Sequence, residues 1–460
     1  MGNSESGSYN KRLSVISPEE QSEIEQSFEK MPFIKSGSKK SLNLKTFQDY
    51  LGNSLPSFIT RRIFRGIQSI NLNNKSPIMG DEISKEQYLL FFADILRGTS
   101  DEKSWIMFHM INLENSEQVK GEHVQQFLKD LITAVLHVLK GNNVLSGWKL
   151  EKVEDSSFGI QALALHLLSQ LKTSDGQTIE GKELLNCFCS RASIEEWLYK
   201  VPMISTLLRV VLTLGLSVLK QQTDYETEIR SLVPKCRVVK QPSFVSLLDL
   251  PSVMFLNYQL PSEMQQKWRL LFSSQIHGES FSKLCGHLVD QGPSLLVLKD
   301  SDGFIFGGFA SQNWEVKPQF QGDSRCVLFS IFPHLNVYTY TGYNDHYMYL
   351  NHGQQTMPNG LGMGGQHNYF GLWIDSNFGS GHSKAKPSCT TYNSPQLSAK
   401  EEFTIDAIEV WAVGELSEEL VAKNKKSILD ADPEARALLD MTGKGRQSEG
   451  LRDKSEDDDM

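Results

Sequence analysis

Apolar residues in the first half of the chain recur every three to four positions, the spacing of helices that bury one face. Val124, Phe127, Leu128, Leu131, Val135, Leu136 and Leu139 form one such series, and Leu163, Leu167, Leu168 and Leu171 another. Start signals accompany the pattern. Ser17-Pro18-Glu19-Glu20 combines an N-cap serine, a proline at the first helical position and a glutamate closing a capping box. Ser84-Lys85-Glu86-Gln87 repeats the box before Tyr88, Leu89, Phe92, Ile95 and Leu96, and Ser193-Ile194-Glu195-Glu196 predicts a cap for a helix carrying Trp197 and Leu198. Beyond residue 294 the period drops to two. Leu295–Leu298 and Phe304–Phe309 flank Asp300-Ser301-Asp302-Gly303 and predict a hairpin, and Val327–Phe332, Val337–Tyr340 and Phe403–Val413 read as further strands.

Between residues 17 and 112 the helix, short apolar strand (Leu42, Leu44; Ile83), helix rhythm resembles an EF-hand. Its calcium ligands are missing. Placing Ile83 at the hydrophobic loop position puts Ser76, Ile78 and Gly80 where acidic side chains should stand. Placing Ile179 there puts Lys172 and Ser174 at the first two ligand positions, with Glu183 alone fitting. The expectation is a pair of calcium-free helical units. Val201–Leu219 is long and apolar, but Arg209 near its centre would cost about 2.5–3.5 kcal/mol in a bilayer, so a buried helix is expected. Charged residues from Asp224 to Gln241, with Pro234 and then Pro242, read as a hinge before further helices at Phe244–Leu260 and Ser280–Val289.

Thr341–Asp375 concentrates glycine, aromatic and amide residues. Tyr347 and Tyr349 alternate with Met348 and Leu350. Later, Tyr369, Gly371 and Trp373 alternate with Phe370, Leu372 and Ile374. These alternations, with the Pro358-Asn359-Gly360 turn, predict two buried strands joined by a glycine-lined loop. Gly360–Gly365 matches GxGxxG, but a dinucleotide fingerprint must open a helix, and Gln366–Ile374 has strand character. Tight backbone packing is the expected use of these glycines.

Charge and cysteine content narrow the classes. A net charge of −9 excludes a general nucleic-acid binder. Six irregularly spaced cysteines suggest a reduced, cytosolic setting, and Cys187-Phe-Cys189 lacks a second ligand pair for zinc. Asp345, His346, His352 and His367 lack a helical metal-binding spacing, and no G-x-S-x-G occurs. Cys285, Cys326 and Cys389 have no local feature that would activate a thiol. No cofactor is expected. Met1-Gly2-Asn3-Ser4-Glu5-Ser6 fits the N-myristoylation pattern with Gly2 as the acylated residue. One such chain holds a membrane only marginally, so a second contact is expected. Near the other end Asp432-Pro433-Glu434 predicts a short amphipathic helix over 432–441, whose Arg436, Leu438 and Leu439 are candidates for a partner's groove.

The second half also carries a family resemblance. Leu271-Phe272-Ser273-Ser274, His277-Gly278-Glu279-Ser280-Phe281, Phe306-Gly307-Gly308-Phe309-Ala310, Gly322-Asp323 with Phe329-Ser330, Pro358–Gly365, Tyr369–Asp375 and Glu409–Gly414 resemble, in unbroken order over 243–414, the blocks of a TLDc domain. The resemblance implies a β-sandwich with flanking helices and no established catalytic activity. Members of the family are tied to oxidation resistance and to the vacuolar proton-pumping ATPase. The Met1-Gly2 signal, helical half and tail are similar to the layout of members acting in lysosomal mTOR signalling. The expected class is therefore α+β, divided as a 1–16 disordered acylation tail, a 17–112 EF-hand-like domain, a 113–240 helical region and linker, the 243–414 TLDc domain and a 415–460 tail. The expected function is a non-catalytic, lipid-anchored protein on the cytosolic face of the lysosome, partnered by ATPase subunits and mTOR pathway components. The alternative is an oxidation-protective enzyme using a TLDc cysteine or a histidine-bound metal.

Overall fold

The computed structural model describes residues 9–36, 39–72, 81–114, 116–145, 147–148, 156–173, 183–219, 223–237, 244–355, 357–384 and 386–415. Helices dominate the first half, and both early capping boxes form as the sequence predicts. Ser17 accepts from the Glu20 N–H and the Glu20 side chain reaches back; Ser84 and Gln87 repeat the exchange. The third cap sits three residues earlier than expected. Ser190 caps Arg191–Lys200 by accepting from the Ser193 N–H, because Phe188–Cys189 forms a short strand that leaves Ser190 extended.

Short strands tie the helices together. β1 (Ile34–Ser36), β2 (Lys39–Asn43) and β3 (Glu82–Ser84) make a small antiparallel sheet in which Leu42 stands opposite Ile83. β4 (Val119–Lys120) pairs with β5 (Phe188–Cys189). The EF-hand-like expectation reaches this pairing and no further: Ser76, Ile78, Gly80, Ser174 and Ile179 lie outside the described residues. Gly121–Gly141 is the long axial helix, packed by Ser157–Leu168 and Pro202–Gly215. The latter is the buried helix expected within Val201–Leu219, and Arg209 on it pairs with Glu228. No single helix among the described residues is long and apolar enough to cross a membrane.

The expected hinge holds structure of its own. Thr223–Leu232 is a helix, and β6 (Lys235–Cys236) then joins the C-terminal sheet, parallel to β7 (Lys267–Ser273). Residues 238–243 lie outside the description. The helix expected over Phe244–Leu260 begins only at Leu250, capped by Asp249. That carboxylate accepts from the Ser252 N–H at 2.9 Å and from the Gly159 N–H in the first turn of Ser157–Leu168. One anion thus serves two helix N-termini, where the dipole favours it.

The sheet runs β10 (Lys317–Gln321), β13 (Met348–Asn351), β14 (Gly360–Gln366), β15 (Tyr369–Asp375), β16 (Ser380–His382), β17 (Glu402–Val413), β8 (Ser294–Asp300), β9 (Ile305–Ala310), β11 (Val327–Phe332), β12 (Asn336–Tyr338). Twelve-residue β17 belongs to two layers. It pairs with β16 near its start, with β7 near its end, and with β8 along its other side. The sheet thereby folds over itself into a sandwich. Leu296, Leu298, Phe306 and Leu328 from the first layer meet Met348, Leu350, Leu361, Met363, Leu372 and Ile374 from the second. On the opposite face of the first layer, Leu295, Val297, Phe309, Phe329 and Trp411 share a core with Leu163, Val253 and Phe255 of the helices. The unbroken apolar run of β8 follows from burial on both faces.

Candidate docking surface

The stretch expected as a loop is a strand. Gly360–Gln366 forms β14 between β13 and β15, with Gly362 opposite Tyr349 on one side and Trp373 on the other. Glycine is a poor strand former because it has no side chain to pack. Here rings from the adjacent strand supply that packing. A Cβ on Gly362 would lie 2.6 Å from the Phe370 ring, and one on Gly360 would lie 2.3 Å from Trp373. Phe370 and Trp373 stack at 4.6 Å and 19°, with Tyr349 beside them. The expected alternation also breaks. Positive φ at Gly364 and Gly365 interrupts the ladder, which places Phe370 with Trp373 on the outer face and not with Leu372 and Ile374. Around this buried floor stand half-buried Phe320, His346 and His367 and exposed Tyr369. The outcome is a small buried aromatic core under a rim of half-buried rings.

Three histidines of the TLDc region hold local hydrogen bonds. His346 bonds through Nδ1 to the Gly365 carbonyl and stacks on Phe320 at 4.0 Å. His352 Nε2 meets Ser282 Oγ at 3.2 Å, and His277 Nδ1 accepts from the Ser273 N–H at 3.0 Å. Burial pushes His382 down to about 4, so its ring is neutral at physiological pH. Among the described residues no group of three histidine, cysteine, aspartate or glutamate side chains could hold a metal ion.

All six cysteines are free, and burial raises the thiol pKa of each TLDc-region candidate. Cys285 is pushed up to about 11, and Cys326 and Cys389 move in the same direction. At pH 7 a thiol with the Cys285 value is about one part in ten thousand thiolate, the less reactive state toward peroxide.

A polar site lies inside the joint between sheet and helices. Glu409 on β17 is 1 % exposed and accepts from the Leu247 N–H at 2.7 Å, Ser246 Oγ at 2.9 Å and Trp411 Nε1 at 3.1 Å. Trp148, Trp268 and Trp411 pack around the same joint with ring separations of 5.4 to 6.1 Å. Burial outweighs the three donors and raises the Glu409 carboxyl to about 7. Its folded pKa therefore exceeds its unfolded one, so the native state holds the extra proton between about 4.5 and 7. Stability from this group is present at acidic pH and lost as pH rises across that window, by about 3 kcal/mol. Denaturant titrations from pH 5 to 8 should show wild-type stability falling relative to Glu409→Gln by about that amount.

Of the residues singled out in the sequence, Gly2, Arg436, Leu438 and Leu439, with the whole 432–441 helix, lie outside the described residues. The buried contacts of Glu409 and Asp249 were not anticipated from the sequence. The available signal for Glu409 was one charge within the apolar run Ala407–Val413; for Asp249 it was an aspartate two residues before Pro251.

A β-sandwich with flanking helices is what the resemblance to a TLDc domain implies, and residues 243–414 match the model of that family, described as the TLDc domain. Similarity to known proteins extends along the whole chain. It is 65 % identical over 459 residues to the MTOR-associated protein MEAK7 of Xenopus laevis, covering 100 % of both chains. It is 50 % identical over 461 residues to the Homo sapiens protein of the same name, again covering 100 % of each. The chain belongs to the MTOR-associated protein MEAK7 family. Oxidation resistance protein 1 of Bos taurus is 33 % identical over 195 residues, 42 % of this chain and 21 % of that protein.

Proposed function

We propose that this chain is a non-catalytic interaction protein that works in mTOR signalling from the cytosolic face of the lysosome. In this reading a myristoylated Gly2 supplies the lipid anchor, and the TLDc sandwich with the 432–441 helix binds the vacuolar proton-pumping ATPase. The observation that carries the signalling role is end-to-end similarity to proteins named as mTOR-associated. Support for a binding role over a redox one comes from the TLDc region itself. Its thiols are buried and raised in pKa.

The anchor is tested by fractionating cells that express the full chain with Gly2→Ala. One myristoyl chain binds membranes with a constant of about 10⁴ M⁻¹, so its loss should move most of the protein to the soluble fraction. Unchanged membrane association would remove acylation from the account.

A further inference from the structure

At one margin of the first sheet layer, β6 and β7 lie side by side and parallel. Lys235 stands opposite Lys267 and Cys236 opposite Trp268. The Arg237 N–H donates to the Trp268 carbonyl at 3.2 Å, which continues the ladder and sets Arg237 beside Arg269. Side chains alternate along a strand. Cys236 and Trp268 accordingly turn into the helical core, and Lys235, Arg237, Lys267 and Arg269 share the other face. Like charges set directly opposite one another destabilise strand pairing, so this arrangement does nothing for the fold.

The lysine row has counter-charges. Lys235 meets Glu226 at 2.8 Å and Lys267 meets Glu415 at 3.5 Å, both in exposed pairs of little energetic weight. The arginine row has none among the described residues. Half-buried Arg269 donates to Gln291 Oε1 at 3.2 Å, and no carboxylate among the described residues pairs with Arg269 or with exposed Arg237. Burial and the neighbouring Arg237 charge both hold Arg269 below the usual guanidinium range, the mark of a cation without an anion. Two adjacent guanidinium forks present the planar donor geometry that phosphate oxygens accept. With a net charge of −9 on the chain, this is a local patch and not part of a general basic field.

We propose that the Lys235, Arg237, Lys267 and Arg269 face binds the phosphate of an anionic membrane lipid. The proposal rests on the membrane reading above and supplies the second contact that a single acyl chain requires. Each basic side chain near an anionic surface strengthens binding roughly fivefold.

The test uses the full chain without its acyl group, so that the outcome is independent of Gly2. It is sedimented with vesicles of phosphatidylcholine containing phosphatidylserine, and with vesicles of phosphatidylcholine alone. The expected result is binding to the anionic vesicles only, weakened by salt and about twenty-five-fold weaker for Arg237→Ala with Arg269→Ala. Arg237→Glu, at an exposed position, gives a second variant that keeps the fold and should also lose binding. Equal binding to both vesicles, or full binding by Arg237→Glu, would overturn the proposal. Inorganic phosphate at millimolar concentration should leave the protein on the vesicles, and complete displacement would overturn the lipid as the source of the phosphate. Failure here leaves the Gly2 anchor standing, since that is read by fractionation of the acylated chain.

Discussion

Arg62→Ala should lower the stability of the chain by about 3–5 kcal/mol, among the largest effects of any single substitution in the helical half. Arg62 is 5 % exposed on the helix Ser57–Gln68. Its Nε and Nη2 donate to Asp130 Oδ2, each at 2.8 Å, and its Nη1 donates to the Met110 carbonyl at 2.9 Å. The guanidinium also lies 5.5 Å from the centre of the Phe127 ring. Three helices are thereby fastened at one point. Truncation leaves Asp130, with little solvent contact, holding among the described residues only its bond from Gln126. The cost is chiefly that of an uncompensated charge. Replacing both partners, as in Arg62→Met with Asp130→Leu, should recover a large part of the loss, because the desolvated charge disappears with its partner. Urea denaturation of the single and double variants measures both numbers. A single variant within 1 kcal/mol of wild type would contradict the ion pair's role.

In the sheet, Gly307→Ala should be comparably damaging. Gly307 pairs with Val297 on β8 and Phe329 on β11, at the centre of the first layer. An added Cβ would fall 1.8 Å from the Leu296 carbonyl oxygen and 2.8 Å from the Phe329 ring. Overpacking costs about 1–3 kcal/mol where side chains can step aside. A backbone oxygen in a paired strand cannot do so without parting β8 from β9. The expected loss is therefore above that range, about 4 kcal/mol or more, seen as a lowered denaturation midpoint or insoluble protein. Gly286→Ala is the matched control. It sits in the helix Phe281–Leu288 with nothing beyond its own stretch of helix within 4 Å of its added methyl, so it should be neutral or slightly stabilising.

How far the sequence could be read depended on how local each determinant was. Capping boxes at Ser17 and Ser84 are written within four residues, and both form. The cap near residue 190 was misplaced because two serines three apart both satisfy the local rule. The choice was made by β5, whose pairing with β4 spans about seventy residues. The strand Gly360–Gln366 was invisible for a related reason. Its glycines become strand-forming only once Phe370 and Trp373 cover them, and that cover comes from another strand. β6 is two residues long and parallel to its neighbour, too short for any periodicity to show. The same logic applies to Glu409, whose donors Ser246 and Leu247 are more than 160 residues away. The aromatic platform was legible as an enrichment of residue types, but its outer and inner faces were set by the positive φ of Gly364 and Gly365.

The central claim is that this chain acts by binding. It is tested most directly by titrating purified full-length protein against purified vacuolar proton-pumping ATPase and measuring the dissociation constant. The account predicts saturable binding that is lost, with the fold intact by circular dichroism, in the Leu438→Asp, Leu439→Asp double variant. No detectable binding by the wild-type chain, or equal binding by that variant, would contradict it.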